Sequence, residues 1–451
     1  MTRPVATPIL AAMRLRLLPV LLVAACSPAA PSTRTAPPAR VVTAAQAWAN
    51  LCEGTESMPM EIAGSREFVR VTLPGAKVPG PLRFHVDTGG NTPGLMLLGS
   101  EAARIGFTSA DALPHTIGIG GRDVAVPPDT RWVLLDAAGP QARFENALRR
   151  DYAVGQLGAG FLSRFVVCID PAKQRMGLGD PRAYDVDPGG AAWLPLFMLQ
   201  AGPNHALYPF LRASLGKPEA PTDAYGLLLD TGATTSMLER DKLDAERQRH
   251  PDWPVARGAF GDADMIGGAW NETVLRAASV EVDSPSGKPP VDLGPATFVD
   301  RPTGTWSKLF GDVPETRGSH GALANDVLLR LRLLIDYPHA RLYVQPAGRA
   351  EDRSASPSRV GVSLVFDGAD GCARISRITD TNAPATLAAL RVGDAILGID
   401  GHDACKLWHH ELAALLAGPP GATVHLRLRR EGRVIDADAV AAELLRRPET
   451  R

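Results

Sequence analysis

The sequence predicts a mainly β protein: two copies of one strand-rich lobe, followed by a small β-sandwich with helices. Three observations carry that expectation. Residues 60–347 contain an internal repeat, in which short apolar runs recur in the same order. The runs have strand length and are bounded by turn residues. The chain of 451 residues carries 44 Gly and 39 Pro, enough punctuation for a fold made mostly of strands and turns. The length exceeds one ordinary domain, and a hydrophobic content of 45% suits a folded core.

At the N-terminus, Arg14 and Arg16 precede a short apolar run at 17–25, and small residues lead to Cys26. Residues 1–25 read as a secretory signal peptide; the run is too short to span a bilayer. Val23-Ala24-Ala25-Cys26 resembles the bacterial lipoprotein signal, which implies lipidation of Cys26 and a membrane contact through that anchor. Ser27, by the same resemblance, favours the outer membrane, with the body in the periplasmic space of the cell envelope. The other reading is an ordinary signal cut nearby, or a free thiol. Residues 26–59 are read as anchor and tether, because 27–44 are rich in Ala, Pro, Ser and Thr. Cys52, Cys168, Cys372 and Cys405 show no CxxC spacing, which argues against a zinc site or thioredoxin-like chemistry. Export permits pairing of Cys372 with Cys405 and of Cys52 with Cys168; four buried free thiols fit equally well.

The repeat divides the body into lobe one, 60–186, and lobe two, 187–347. Lobe one holds Leu82-Arg83-Phe84-His85-Val86-Asp87-Thr88-Gly89-Gly90, and lobe two holds Leu227-Leu228-Leu229-Asp230-Thr231-Gly232-Ala233. Further on, Gly155-Gln156-Leu157-Gly158-Ala159-Gly160-Phe161-Leu162 aligns without gaps with Gly321-Ala322-Leu323-Ala324-Asn325-Asp326-Val327-Leu328. Both segments run on through an Ile-Asp step to a short strand, at 175–178 and 341–344. A single Asp-Thr-Gly arises by chance in roughly one chain in twenty of this length, so one copy would carry little. Two copies, each ending an apolar strand at the same place in a repeat, carry much more.

These residues resemble the aspartic peptidases, in both their pepsin-like and retropepsin-like branches. The resemblance covers most of 60–347 and implies a two-lobed acid-protease β-barrel architecture, with Asp87 and Asp230 as the catalytic pair. The chemistry suits the residues. Two carboxyls held together cannot both ionise readily, so they share one proton. The ionised member takes a proton from water while the protonated member donates to the peptide carbonyl, and no covalent intermediate or cofactor is needed. Extended peptide or unfolded protein is the implied substrate. Gly89 and Gly232 let the backbone turn close to the carboxyls, and Thr88 and Thr231 resemble the family's interlocked threonines. Gly90 and Ala233 stand where pepsin-like enzymes carry a hydroxyl, which predicts raised carboxyl pKa values and activity at milder acidity. Ala324 replaces a family glycine behind Asp230, and His85 is expected to be structural. Ile117-Gly118-Ile119-Gly120-Gly121 and Met265-Ile266-Gly267-Gly268 are candidates for a cleft cover or for ordinary hairpin turns. A degenerate fold that binds peptides without cutting them is the alternative reading.

Residues 348–358 read as a linker and 359–447 as a separate domain. There, Leu390-Arg391-Val392-Gly393-Asp394-Ala395-Ile396-Leu397-Gly398-Ile399-Asp400-Gly401 resembles PDZ domains. The resemblance implies that Gly361, Val362, Ser363 and Leu364 hold a peptide C-terminus, with His409 or His410 near the specificity position. Ser363 departs from the usual glycine. A module that only packs on the peptidase is the other reading. Leu412, Leu415 and Leu416 mark a helix at 407–416, and Val424, Leu426 and Leu428 a half-buried strand.

Other classes find no support. The net charge is −1 and basic residues are scattered, so no nucleic-acid partner is expected. There is no HExxH helix, G-x-S-x-G elbow, P-loop or dinucleotide fingerprint, and no metal or cofactor is expected.

Overall fold

The repeated Asp-Thr-Gly segments end equivalent strands in two equivalent sheets. The computed structural model describes residues 40–78, 80–90, 94–135, 153–187, 193–201, 206–216, 224–258, 273–285, 288–310, 318–348, 358–366, 371–379 and 385–445. In lobe one the strands run in the spatial order Arg66–Thr72, Leu82–Val86, Gly155–Leu157, Gly94–Leu98, Arg131–Leu135. Lobe two repeats that order with Ala206–Leu215, Tyr225–Leu229, Ser319–Leu323, Ser236–Glu239 and Ala296–Arg301. In both, the late strand enters between two early ones, parallel to the strand that ends in the motif and antiparallel to the next. Burial on both faces explains the continuous apolar sequence of these strands: all five residues of Gly94–Leu98 and of Tyr225–Leu229 are buried.

A third, six-stranded sheet joins the halves. Val166–Asp170 of lobe one pairs antiparallel with Leu331–Asp336 of lobe two, and each has its hairpin partner, Arg175–Gly179 or Arg341–Pro346, on its outer side. Trp193–Pro195 and Ser57–Pro59 complete its two edges. The protein is thus mainly β, with two barrel-like lobes and a C-terminal domain, as the repeat predicts.

Residues 40–59 are not tether. Arg40–Thr43 pairs in parallel with Tyr184–Asp187, and Thr43 caps the helix Ala44–Trp48 in a reciprocal arrangement with Gln46. Trp48, Leu51 and Cys52 are buried against the joining sheet, and Cys52 is disulfide-bonded to Cys168. Gly177 makes the close approach possible: a Cβ there would lie 2.0 Å from the Leu51 carbonyl oxygen. Burial of these side chains outweighs the entropy of ordering a segment whose composition looks loose.

In the C-terminal domain a six-stranded sheet runs Val362–Val365, Ala373–Ile378, Ala395–Ile399, Thr423–Arg430, Arg433–Val440, with the short His402–Asp403 paired to Ala395–Ile399. The helix His409–Leu416 buries Leu412 and Leu416 against this sheet, in a core with Ile375, Ile396, Ile399 and Leu426. The helix starts two residues later than its apolar spacing suggests, because the Glu411 carboxylate accepts from the Trp408 N–H and caps it there. Cys372 and Cys405 form a disulfide.

This domain packs on both lobes. Thr379 Oγ1 donates to the Arg257 carbonyl of lobe two at 2.9 Å. Gly64 of lobe one lies against His410, where an added Cβ would sit 2.4 Å from that residue's Cβ. Ala442, Leu444 and Leu445 belong to one buried cluster with Tyr208, Trp306 and Phe310.

Candidate active site

Asp87 and Asp230 each follow the last residue of a buried strand, and the inserted strand holds each from behind. The Asp87 N–H donates to the Leu157 carbonyl and the Asp230 N–H to the Leu323 carbonyl, both at 3.0 Å. The threonines lock the two loops together. Thr88 N–H donates to Thr231 Oγ1 at 3.0 Å and Thr231 N–H to Thr88 Oγ1 at 3.1 Å. The hydroxyls then donate across the junction, Thr88 to the Leu229 carbonyl at 2.6 Å and Thr231 to the Val86 carbonyl at 2.9 Å. Four buried bonds of this kind fix the two carboxyls relative to each other.

The glycines are required by space. A Cβ on Gly89 would lie 2.4 Å from Asp230 Cγ, and one on Gly232 would lie 2.3 Å from Asp87 Cγ. Each loop therefore crosses directly over the opposite carboxyl. Gly89 and Gly232 N–H groups also donate to Oδ1 of Asp87 and Asp230, at 3.0 and 2.9 Å.

The two carboxyls are 8% exposed and share a hydrogen bond. Burial drives Asp87 well above the usual carboxylate range, and the neighbouring Asp230 charge drives it further. Burial also raises Asp230, against the Gly232 N–H and the nearby Arg66 charge. Two buried carboxyls held this close cannot both ionise readily, so the arrangement can share one proton between them.

Sequence reasoning left three supporting residues unnoticed. Gln156, 1% exposed, donates its amide to Asp87 Oδ2. Asn325, also buried, donates to the carbonyls of Ser65 and Thr231 and to Glu67 Oε2. Ser236 Oγ accepts from the Ala324 N–H at 3.0 Å, and Ala324 itself is fully buried, so its methyl is accommodated where the first lobe carries Gly158. Gln156 and Asn325 face Ala322 and Ala159 in the internal alignment. A polar residue opposite alanine in an apolar run was the available signal.

His85 is buried against Phe68, 5.3 Å between ring centroids, and is hydrogen-bonded to the Thr231 backbone. Burial and the Arg66 and Arg83 charges hold its pKa down at about 3, so the ring is neutral and structural. Ile117–Gly121 forms an ordinary hairpin turn: Ile117 and Ile119 are core residues, and Gly120, at φ +57°, packs on Met58 and Pro59. In lobe two, Val255–Arg257 and Thr273–Ala277 are paired hairpin arms, and Met265–Gly268 between them lies outside the described residues. Cys26 also lies outside them.

In the C-terminal domain, Val362–Val365 is the edge strand of its sheet, paired only with Ala373–Ile378 among the described strands. The Gly361 carbonyl accepts from Thr379 N–H at 2.9 Å, and a Cβ at 361 would lie 2.2 Å from Thr379 Cγ2. Ser363 is buried, and Leu364 belongs to the domain core. His409 meets Phe366 edge to face, while His410 faces lobe one. Residues 350–429 match the family model of the PDZ domain. This region is a PDZ domain.

The aspartic proteinase from Irpex lacteus is among the solved structures that match. It is 12% identical with a TM-score of 0.37, over 65% of this chain and 97% of that one. A search of the curated proteins finds no match. Among the described residues no group of His, Cys, Asp and Glu could hold a metal ion, and no described helix is long and apolar enough to cross a membrane.

Proposed function

We propose that the chain is an aspartic endopeptidase, hydrolysing extended polypeptide with a water activated between Asp87 and Asp230. The supporting observation is the pair of hydrogen-bonded, buried carboxyls at a junction locked by Thr88 and Thr231. The singly protonated pair binds the water. One carboxylate removes its proton as the oxygen attacks the carbonyl carbon, while the other carboxyl protonates the carbonyl oxygen. Collapse of the tetrahedral diol breaks the C–N bond, with a proton passed to the leaving nitrogen. Because burial raises both carboxyls, the active form persists to milder acidity than an exposed pair would allow.

The PDZ domain is proposed to capture a peptide C-terminus, with the Val362–Val365 edge receiving it as an added strand and the loop from Gly361 facing its carboxylate. Its packing on both lobes would present such a chain next to the peptidase. Export as a Cys26-anchored envelope lipoprotein is proposed from the leader sequence alone, and Cys26→Ser would then release the protein from the membrane fraction.

The deciding experiment is digestion of a diverse peptide mixture between about pH 3 and pH 8, read by mass spectrometry. Cleavage by the wild type, lost in both Asp87→Asn and Asp230→Asn, supports the dyad. Binding without cleavage at every pH, by a folded protein, establishes the peptide-binding alternative instead.

A further inference from the structure

The two lobes repeat each other closely at the catalytic loops, yet they treat their carboxyls differently. Asp230 has Ala233 and Ala322 around it, neither of which carries a side-chain donor. Asp87 has Gly90 and Gln156 at the equivalent positions. Gln156 lies on the inserted strand, in parallel register with His85, and its Nε2 donates to Asp87 Oδ2. A Cβ at Gly90 would lie 2.7 Å from that same oxygen and 2.7 Å from Gln156 Nε2. The space beside Asp87 can thus hold a side chain from position 90 or the amide of Gln156, but not both. Glycine at 90 is therefore what leaves room for the Gln156 amide beside Asp87.

We propose that Gln156 is a positioning residue for Asp87: its amide replaces the missing hydroxyl at position 90 and balances the two singly protonated forms of the dyad. The inference rests on Asp87 and Asp230 forming the working pair. The charge on Asp230 disfavours ionisation of Asp87. An N–H donor on Oδ2 favours it. The two effects oppose, and a proton that must change sides during hydrolysis moves most easily between forms of similar energy. The other polar groups around the pair act differently. Arg66 lowers Asp230, and His85 is neutral. Burial, and after it the charge of Asp87, keeps the phenols of Tyr208 and Tyr337 protonated. Among the described residues the remaining oxygen of Gln156, Oε1, is buried with no hydrogen-bond partner, and the amide's bond is to Asp87.

Gln156→Met keeps the length and removes the donor. Its acid limb in kcat/KM is expected to move up by about one pH unit, and kcat to fall about tenfold with KM little changed. Gln156→Glu keeps the shape and reverses the sign, and should move the limb further in the same direction. The Asp87 carboxyl, followed by ¹³C NMR in the intact protein, should titrate higher in both variants. That readout needs no turnover, so it separates failure of this inference from failure of the peptidase reading. An acid limb and an Asp87 titration both unmoved in folded Gln156→Met would overturn the proposal. An Asp87 titration that rises from wild type to Gln156→Met, in a wild type that cleaves nothing, would uphold the Gln156 contact and reject the peptidase.

Discussion

Replacing Thr231 by Val removes one hydroxyl and preserves shape, which makes it a direct probe of the lobe junction. Two bonds disappear: the one the hydroxyl donates to the Val86 carbonyl at 2.9 Å, and the one it accepts from the Thr88 N–H at 3.0 Å. Thr88 and Thr231 are fully buried, so water cannot replace either bond. A backbone N–H and a carbonyl are left unpaired, each at a cost of about 1–2 kcal/mol, for a total of about 2–4 kcal/mol. Thr231→Ser keeps both bonds and loses only a methyl, so it should cost no more than about 1 kcal/mol. Urea unfolding at fixed pH, followed by tryptophan fluorescence, measures both, with the m-value checked for constancy. Thr88→Val should behave like Thr231→Val, because it removes the symmetric pair of bonds. Equal stability of Thr231→Val and the wild type would show that the interlock does not hold the lobes, and the argument for a fixed dyad would fail with it.

The dyad also predicts a pH dependence of stability. Both carboxyls are raised, so their contribution is whole at low pH and is lost as pH rises through their folded values. Asp230→Asn should therefore raise Tm relative to wild type at pH 8 and leave it close to unchanged at pH 4; a thermal series compares them. Gly232→Ala should cut kcat at least about 100-fold, since its Cβ would press on Asp87 Cγ at 2.3 Å and displace the carboxyl; steady-state kinetics on a cleaved peptide checks this. Gly64→Val combines an unfavourable φ of +58° with a collision at His410. It is expected to loosen the PDZ domain and speed its release by trypsin, as timed by mass spectrometry.

Much of this protein was legible in its residues. The strands ending in Asp87 and Asp230 announce themselves by apolar runs, because a strand buried on both faces needs no polar alternation. The motif's glycines and threonines follow from what two loops crossing over opposite carboxyls demand. The PDZ core was likewise readable, because Ile396, Ile399, Leu412 and Leu416 sit at strand and helix spacing. Contacts between residues far apart in sequence were not readable. Gln156 stands 69 positions from the carboxyl it holds, and Asn325 stands 258 from Glu67; local periodicity carries no information about such pairs. Residues 40–59 look like tether by composition, yet they fold because the joining sheet offers Trp48 and Leu51 a place to be buried. The sequence by itself determined the repeated lobes and which carboxyls meet. Only the tertiary structure decided the surroundings of each carboxyl, because hydrogen bonds and burial act between surfaces that exist only once the chain has packed.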